Sequence, residues 1–164
     1  MSASEFAPIL LGNISPFYAA DGPAQASEET RWKIDDIDKP EDSRSKVLIV
    51  DDQRLIADTL AEILGNAGFN AIAAYDGFDA LDKASRFHPN WVVTDVLMPR
   101  MNGVELAITL RQTYPKSAIL LFSGQAGISE IIHDAHRAGY QFELIAKPIH
   151  PMRLIERLKQ DETN

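Results

Sequence analysis

Hydrophobic and polar positions follow two alternating rhythms from residue 46 onward. Unbroken apolar runs, Val47-Leu48-Ile49-Val50, Trp91-Val92-Val93 and Ala118-Ile119-Leu120-Leu121-Phe122, are separated by longer stretches in which apolar residues recur every three or four positions. Unbroken runs suit strands buried on both faces, and the longer recurrence suits helices with one buried stripe. Alternation of the two predicts βα units that feed a parallel sheet, with five strands and five helices on both of its faces.

The local punctuation agrees with this division. Ile56, Leu60, Ile63, Leu64 and Ala67 form the stripe of a first helix, and Gly68 is placed to close it in a left-handed conformation. A second strand is expected over Phe69 to Tyr75, then a short helix after Asp76-Gly77 that ends at Phe87. Asn102-Gly103 opens a third helix with Leu106, Ala107, Leu110 and Tyr114 inward, and Pro115 stops it. A fourth helix from about Ile128 to Ala138 precedes a fifth strand, Phe142 to Ala146, and Pro151 is a favourable first-turn residue for a last helix reaching Leu158.

The runs end in polar residues of a particular kind: Asp51-Asp52 after the first, Asp95 after the third, Ser123-Gly124 after the fourth and Lys147-Pro148 after the fifth. In a parallel sheet, ligands bind in the crevice outside the carboxyl ends of the strands. Residues far apart in the chain therefore converge on one site. Each piece alone has a plainer reading: a solvated strand terminus for the acidic pair, a turn for Ser123, a surface cation for Lys147. It is their co-occurrence that argues for chemistry.

These residues, together with Asp95-Val96-Leu97-Met98-Pro99-Arg100-Met101-Asn102-Gly103, resemble the receiver domain of two-component response regulators, in the family's order and at about its spacing. The resemblance runs from about Lys46 to Leu158. It implies a flavodoxin-like, doubly wound α/β fold of the chemotaxis-regulator type, with a receiver domain over 46–160 that takes a phosphoryl group from a histidine kinase or histidine phosphotransfer protein.

Three carboxylates in a partly dehydrated crevice repel one another, so some must be protonated or a cation must sit among them. All-oxygen ligands suit a hard ion, and Mg²⁺ accepts one or two carboxylates plus phosphate oxygens. The resemblance implies Asp52 and Asp95 as direct Mg²⁺ ligands, Asp51 acting largely through water, and the backbone carbonyl of Val96 completing the set. Asp95 is the expected nucleophile, since a carboxylate can attack phosphorus in line to give an acyl phosphate. Lys147, the Ser123 hydroxyl and the Gly124 N–H are then expected to neutralise charge on the phosphoryl oxygens. The family also has a cis Lys-Pro bond that aims the amine inward.

The sequence departs from the family where an aromatic residue is usual three positions before the lysine: Leu144 stands there. In the family that aromatic turns inward together with Ser or Thr, here Ser123, and couples the site to the outer surface. Phe142, on the same face two residues earlier, is the candidate replacement. Leu97 and Gln125 occupy positions that influence dephosphorylation in the family. His133 and His136 are three apart on the fourth helix, a spacing that more often means two solvated side chains than a metal site.

Composition narrows the alternatives. The chain has 164 residues, 45% hydrophobic, enough for one domain with a real core plus an appendage. The absence of cysteine excludes thiol catalysis, disulfides and Cys-zinc sites. A net charge of −8 argues against sequence-independent nucleic-acid binding. No apolar run approaches the roughly 20 residues of a membrane span, and the cytoplasm is the expected location. Residues 1–45 hold nine acidic and four basic residues and four prolines, and read as an acidic, flexible N-terminal extension. Phe6 to Leu11 and Ile14 to Ala20 are its apolar exceptions.

The chain is expected to act as a stand-alone receiver whose output is a contact with an unknown downstream protein, through helix 4, strand 5 and helix 5, or onward phosphotransfer, without direct nucleic-acid or membrane binding. One rival is a module of the same fold not controlled by phosphorylation. The other is an aspartate-nucleophile hydrolase of the haloacid dehalogenase type. That type expects Asp-x-Asp after the first strand, and the residues two beyond Asp51 and Asp52 are Gln53 and Arg54.

Overall fold

The computed structural model describes residue 40 and residues 43–124 and 128–160. The apolar segments Phe6 to Leu11 and Ile14 to Ala20, nearly all of the expected extension, and Gln125 lie outside the described residues. Five strands, β1 (Lys46–Val50), β2 (Asn70–Ala74), β3 (Trp91–Asp95), β4 (Ala118–Ser123) and β5 (Glu143–Ala146), alternate with five helices. These are α1 (Arg54–Asn66), α2 (Gly77–Phe87), α3 (Gly103–Thr113), α4 (Ile128–Arg137) and α5 (Pro151–Gln160). The strands form one parallel sheet in the order β2-β1-β3-β4-β5.

Side-chain alternation along the central strands supplies both faces of the core. Val47, Ile49, Trp91, Val93, Leu120 and Phe122 pack under Ala57, Leu60 and Leu64 of α1 and Leu154, Ile155 and Leu158 of α5. On the other face, Leu48, Val50, Val92, Ile119 and Leu121 meet Ala80 and Ala84 of α2, Leu106, Ala107 and Leu110 of α3, and Ala135 of α4. The sheet is thus sandwiched as the apolar runs required.

Helix boundaries follow from local chemistry. Gly68, just beyond α1, has φ 97°, the left-handed conformation expected of it. Asp76 caps α2 by accepting the Asp79 N–H, and Asn102 with Glu105 forms a complete capping box on α3. One boundary needs correction: β5 begins at Glu143, so Phe142 stands before the strand and not within it. Its half-buried ring stacks parallel to Tyr140 at 6.1 Å and packs on the α2–α3–α4 face of the core, which draws it away from the ladder.

Candidate functional site

The order of the strands reverses at β1. The chain passes from β1 outward to β2, then back across to β3 on β1's other side, which leaves a crevice at the carboxyl ends of β1 and β3. Asp51 and Asp52 directly follow β1 and Asp95 ends β3. One carboxylate oxygen from each of the three lies within 4.8 Å of the others. Asp51 and Asp95 are buried, 1% and 7% exposed, whereas Asp52 is open to solvent.

Lys147, just beyond β5, reaches back across the sheet to this cluster. Its Nζ donates to Asp51 Oδ2 at 2.9 Å and lies 3.3 Å from Asp95 Oδ1. The Lys147-Pro148 peptide bond is cis, as the resemblance implied. Asp51 also accepts the Gln53 N–H at 2.9 Å, so its carboxylate is fixed by the first turn of α1 and by the lysine together.

Electrostatics at Asp95 run in opposing directions. Burial raises the Asp95 pKa above its ordinary value; Lys147 pulls it down, the Asp51 charge pushes it up, and the nearby Leu97 backbone again favours the carboxylate. For Lys147, burial disfavours the ammonium, but the Asp51 hydrogen bond and the charges of Asp95 and Asp51 outweigh it, leaving the pKa raised. The lysine is therefore held as a cation between two carboxylates.

The loop behind Asp95 is built to close tolerances. The Gly103 N–H donates to the Val96 carbonyl at 2.9 Å, and a Cβ at Gly103 would sit 1.9 Å from the Asp95 carbonyl oxygen, so only glycine fits there. The Val96 carbonyl, expected as a metal ligand, thus spends one of its two lone pairs on the loop. Ser123 and Gly124 lie at the end of β4, where Lys147 N–H donates to the Ser123 carbonyl at 2.7 Å. The Ser123 hydroxyl donates to the Gly124 carbonyl at 3.2 Å.

Of the residues singled out from sequence, Asp51, Asp52, Asp95 and Lys147 come together directly, and Ser123 and Gly124 border them through the β4–β5 pairing. Leu144 does not join the site: it is 45% exposed on β5. Leu97 is about half exposed in the loop after Asp95, and His133 and His136 are both exposed on α4. Sequence reasoning missed Gln53, whose contribution is a backbone N–H and so leaves no residue-type signal. It also missed Arg100, which donates to Asp76 across the neighbouring loop.

Comparison with known proteins places this arrangement. The sequence model of the response regulator receiver domain matches residues 47–159. Response regulator MprA of Mycobacterium avium (strain 104) is 30% identical over 114 residues, which make up 70% of this chain and 49% of that protein. The chain thus spans about half the length of the curated relatives it matches. Among solved structures, chemotaxis protein CheY4 of Vibrio cholerae aligns with a TM-score of 0.64 and 29% identity, over 72% of this chain and 98% of that one. A CheY-like response regulator receiver domain protein from Methanospirillum hungatei JF-1 gives 0.66 and 28%, over 73% and 94%. The sheet order, the acidic crevice and the matched span agree, and the chain belongs to the response regulator receiver domain family.

Proposed function

We propose that the chain accepts a phosphoryl group on Asp95, in a Mg²⁺-dependent reaction in the cytoplasm, from a sensor histidine kinase or a histidine phosphotransfer protein. The observation that carries this reading is the placement of one ammonium, Lys147, 2.9 Å from Asp51 and 3.3 Å from Asp95 in a crevice holding three carboxylates. An ammonium between two acids that both need it is a poor use of an ion pair for stability alone, because buried charges are costly to desolvate. It is a good arrangement for receiving a group whose oxygens need a cation.

The donor set fits a hard divalent ion: oxygen atoms only, three carboxylates, one of them open to water. Asp51, Asp52, Asp95 and the Val96 carbonyl would hold it, the carbonyl keeping a second lone pair beside the one that accepts the Gly103 N–H. Bound there, Mg²⁺ supplies neutralisation of the carboxylates and of the phosphoryl oxygens. Asp95 contributes the attacking oxygen, with its carboxylate oriented by Lys147, whose Nζ lies 3.3 Å from Oδ1. As the new O–P bond forms and the bond to the donor's leaving group breaks, negative charge on the equatorial oxygens faces Lys147. The Ser123 hydroxyl, bonded to Gly124 at a long 3.2 Å, has only a weak bond to exchange for a phosphoryl oxygen, and the Gly124 N–H stands beside it.

Output is proposed through protein contact or onward phosphotransfer, on the surface of α4, β5 and α5. Leu144, half exposed at its centre, would contribute to that surface, with the half-buried Phe142 ring as the element linking it to the core. Residues 1–45 are proposed to be an appendage to a receiver domain over 46–160.

The test is intact-mass analysis after incubation with acetyl phosphate. Wild type with Mg²⁺ gains one phosphate, and EDTA or Asp95→Asn abolishes the gain. Labelling that persists in Asp95→Asn, or that ignores EDTA, rejects the reading.

A further inference from the structure

The sheet ends at β2, and part of that strand's outer edge is met by side chains where another strand would otherwise fit. In a parallel pair, alternate residues turn both backbone groups toward the neighbour. The Asn70 N–H donates to Ser45 and the Ala74 carbonyl accepts the Asp51 N–H, so Asn70, Ile72 and Ala74 face β1 while Ala71, Ala73 and Tyr75 face outward. Two of the outward groups are taken by α2. Lys83 Nζ donates to the Ala73 carbonyl at 2.7 Å, and the Tyr75 N–H donates to Asp79 Oδ2 at 3.0 Å. Lys83 Nζ and Asp79 Oδ2 are themselves 2.9 Å apart, one helical turn from each other.

This ion pair reproduces the pattern of one residue of a sixth strand. A parallel neighbour would donate an N–H to the Ala73 carbonyl and accept the Tyr75 N–H on the same residue's carbonyl, and here the ammonium and the carboxylate do the two jobs. The Tyr75 ring braces the arrangement: Lys83 Nζ lies 4.9 Å from its centroid, the Arg54 guanidinium 4.1 Å from it, and its hydroxyl donates to Asp58 at 2.8 Å. The strand itself, Asn70-Ala71-Ile72-Ala73-Ala74, holds no charge and no proline, the features that ordinarily keep an exposed edge from pairing. That protection comes from the neighbouring helix.

We propose that the Lys83–Asp79 pair closes the β2 edge against strand addition, and that the partner it excludes is a second copy of this chain entering with its own β2. Edge pairing is made by backbone groups, and a two-fold axis normal to the sheet brings the same strand to both sides, running antiparallel. An uncharged strand of mostly small side chains offers its own copy neither like-charge repulsion nor bulk. The incoming strand has to displace the ammonium from the Ala73 carbonyl and the carboxylate from the Tyr75 N–H, and leaving either charge without its partner is costly.

Sedimentation velocity over a wide concentration range, on wild type, Lys83→Met, Lys83→Gln and Lys83→Arg, tests the cap, with amide hydrogen exchange to locate the contact. Methionine keeps lysine's aliphatic stem and helix-forming tendency but has no donor for the Ala73 carbonyl, so Lys83→Met should stay folded. It should self-associate about ten-fold or more tightly than wild type, with the Ala71 and Ala73 amides gaining protection as concentration rises. Lys83→Gln, a shorter side chain, should follow it. Lys83→Arg keeps a cationic donor and should behave as wild type. Association of Lys83→Met and Lys83→Gln no tighter than wild type, equally tight association of Lys83→Arg, or protection that appears around Leu144 instead of at Ala71 and Ala73 would each overturn the proposal.

Discussion

The β1–β3 half of the sheet's carboxyl edge and the β5 half contribute to one site but are built differently. β3 is buried at every position and β1 at all but its first, and the carboxylates at their ends are gripped by Gln53 and Lys147. β5 has four residues, three of them exposed, with Leu144 half open to solvent. Lys147 is thus delivered from the most exposed strand to two buried carboxylates, Asp51 and Asp95. On the proposed function this is a division of labour: the buried acidic half holds the phosphoryl acceptor, while the half that carries the lysine has exposed surface.

The largest effect that would break this comparison is at Gly103. With no room between its Cα and the Asp95 carbonyl, Gly103→Ala should destabilise the fold by about 3 kcal/mol or more, by overpacking against backbone that cannot shift without displacing Asp95. Chemical denaturation measures it, and a loss under about 1 kcal/mol would show that the loop behind the nucleophile is pliable. Next in size is a paired truncation. Leu48→Ala, at a fully buried position, should cost about 2–5 kcal/mol, whereas Leu144→Ala should cost less than about 1 kcal/mol. Equal losses would erase the distinction between the two halves.

A smaller effect, of opposite sign, is expected at Asp95. Its folded-state pKa is raised, chiefly by burial, so the native state binds this proton more tightly than the unfolded chain does. Stability from this group therefore falls as pH rises from the ordinary carboxylate value through the raised folded one, and the penalty is complete above it. Asp95→Asn removes the penalty. The variant should melt above wild type at pH 7, with the difference shrinking as pH falls toward the ordinary carboxylate range. A lower midpoint for Asp95→Asn at pH 7 would mean that the Lys147 pairing outweighs burial.

How much of this was legible in the sequence depends on where the signal resides. Asp51, Asp52, Asp95 and Lys147 could be placed together because a parallel sheet brings its strand ends to one edge, and the apolar runs mark those ends without ambiguity. Gly68 and Pro115 marked their turns for the same reason: their backbone chemistry is specific to the residue type. Ala57, fully buried in α1, was not picked out, since alanine is compatible with either face of a helix. The start of β5 was displaced by Phe142, whose apolar side chain prolongs the run although its ring turns to Tyr140 instead of the ladder. The Arg100–Asp76 contact joins two loops with no periodic pattern between them, and nothing in an arginine's identity announces a positive φ.

The smallest expected effect concerns coupling across the β5 half. Phe142 is tied to the core and Leu144 is not, so Phe142→Ala should reduce the amide chemical-shift changes that beryllofluoride produces along α4, while Leu144→Ala should leave most of them in place. A ligand shifts an equilibrium only through elements that differ between the two states, and the exposed leucine has few contacts to differ. Shifts along α4 that survive Phe142→Ala but vanish in Leu144→Ala would reverse the assignment.

The central claim, that the crevice exists to place a phosphoryl group on Asp95, is tested most directly by locating the modified residue. Protein labelled with acetyl phosphate and Mg²⁺ is reduced with borohydride, which converts an aspartyl phosphate to homoserine, and its peptides are sequenced by mass spectrometry. Homoserine should be found at position 95 and nowhere else. Homoserine at position 51 or 52, or a labelled protein with aspartate intact at 95, would contradict the account.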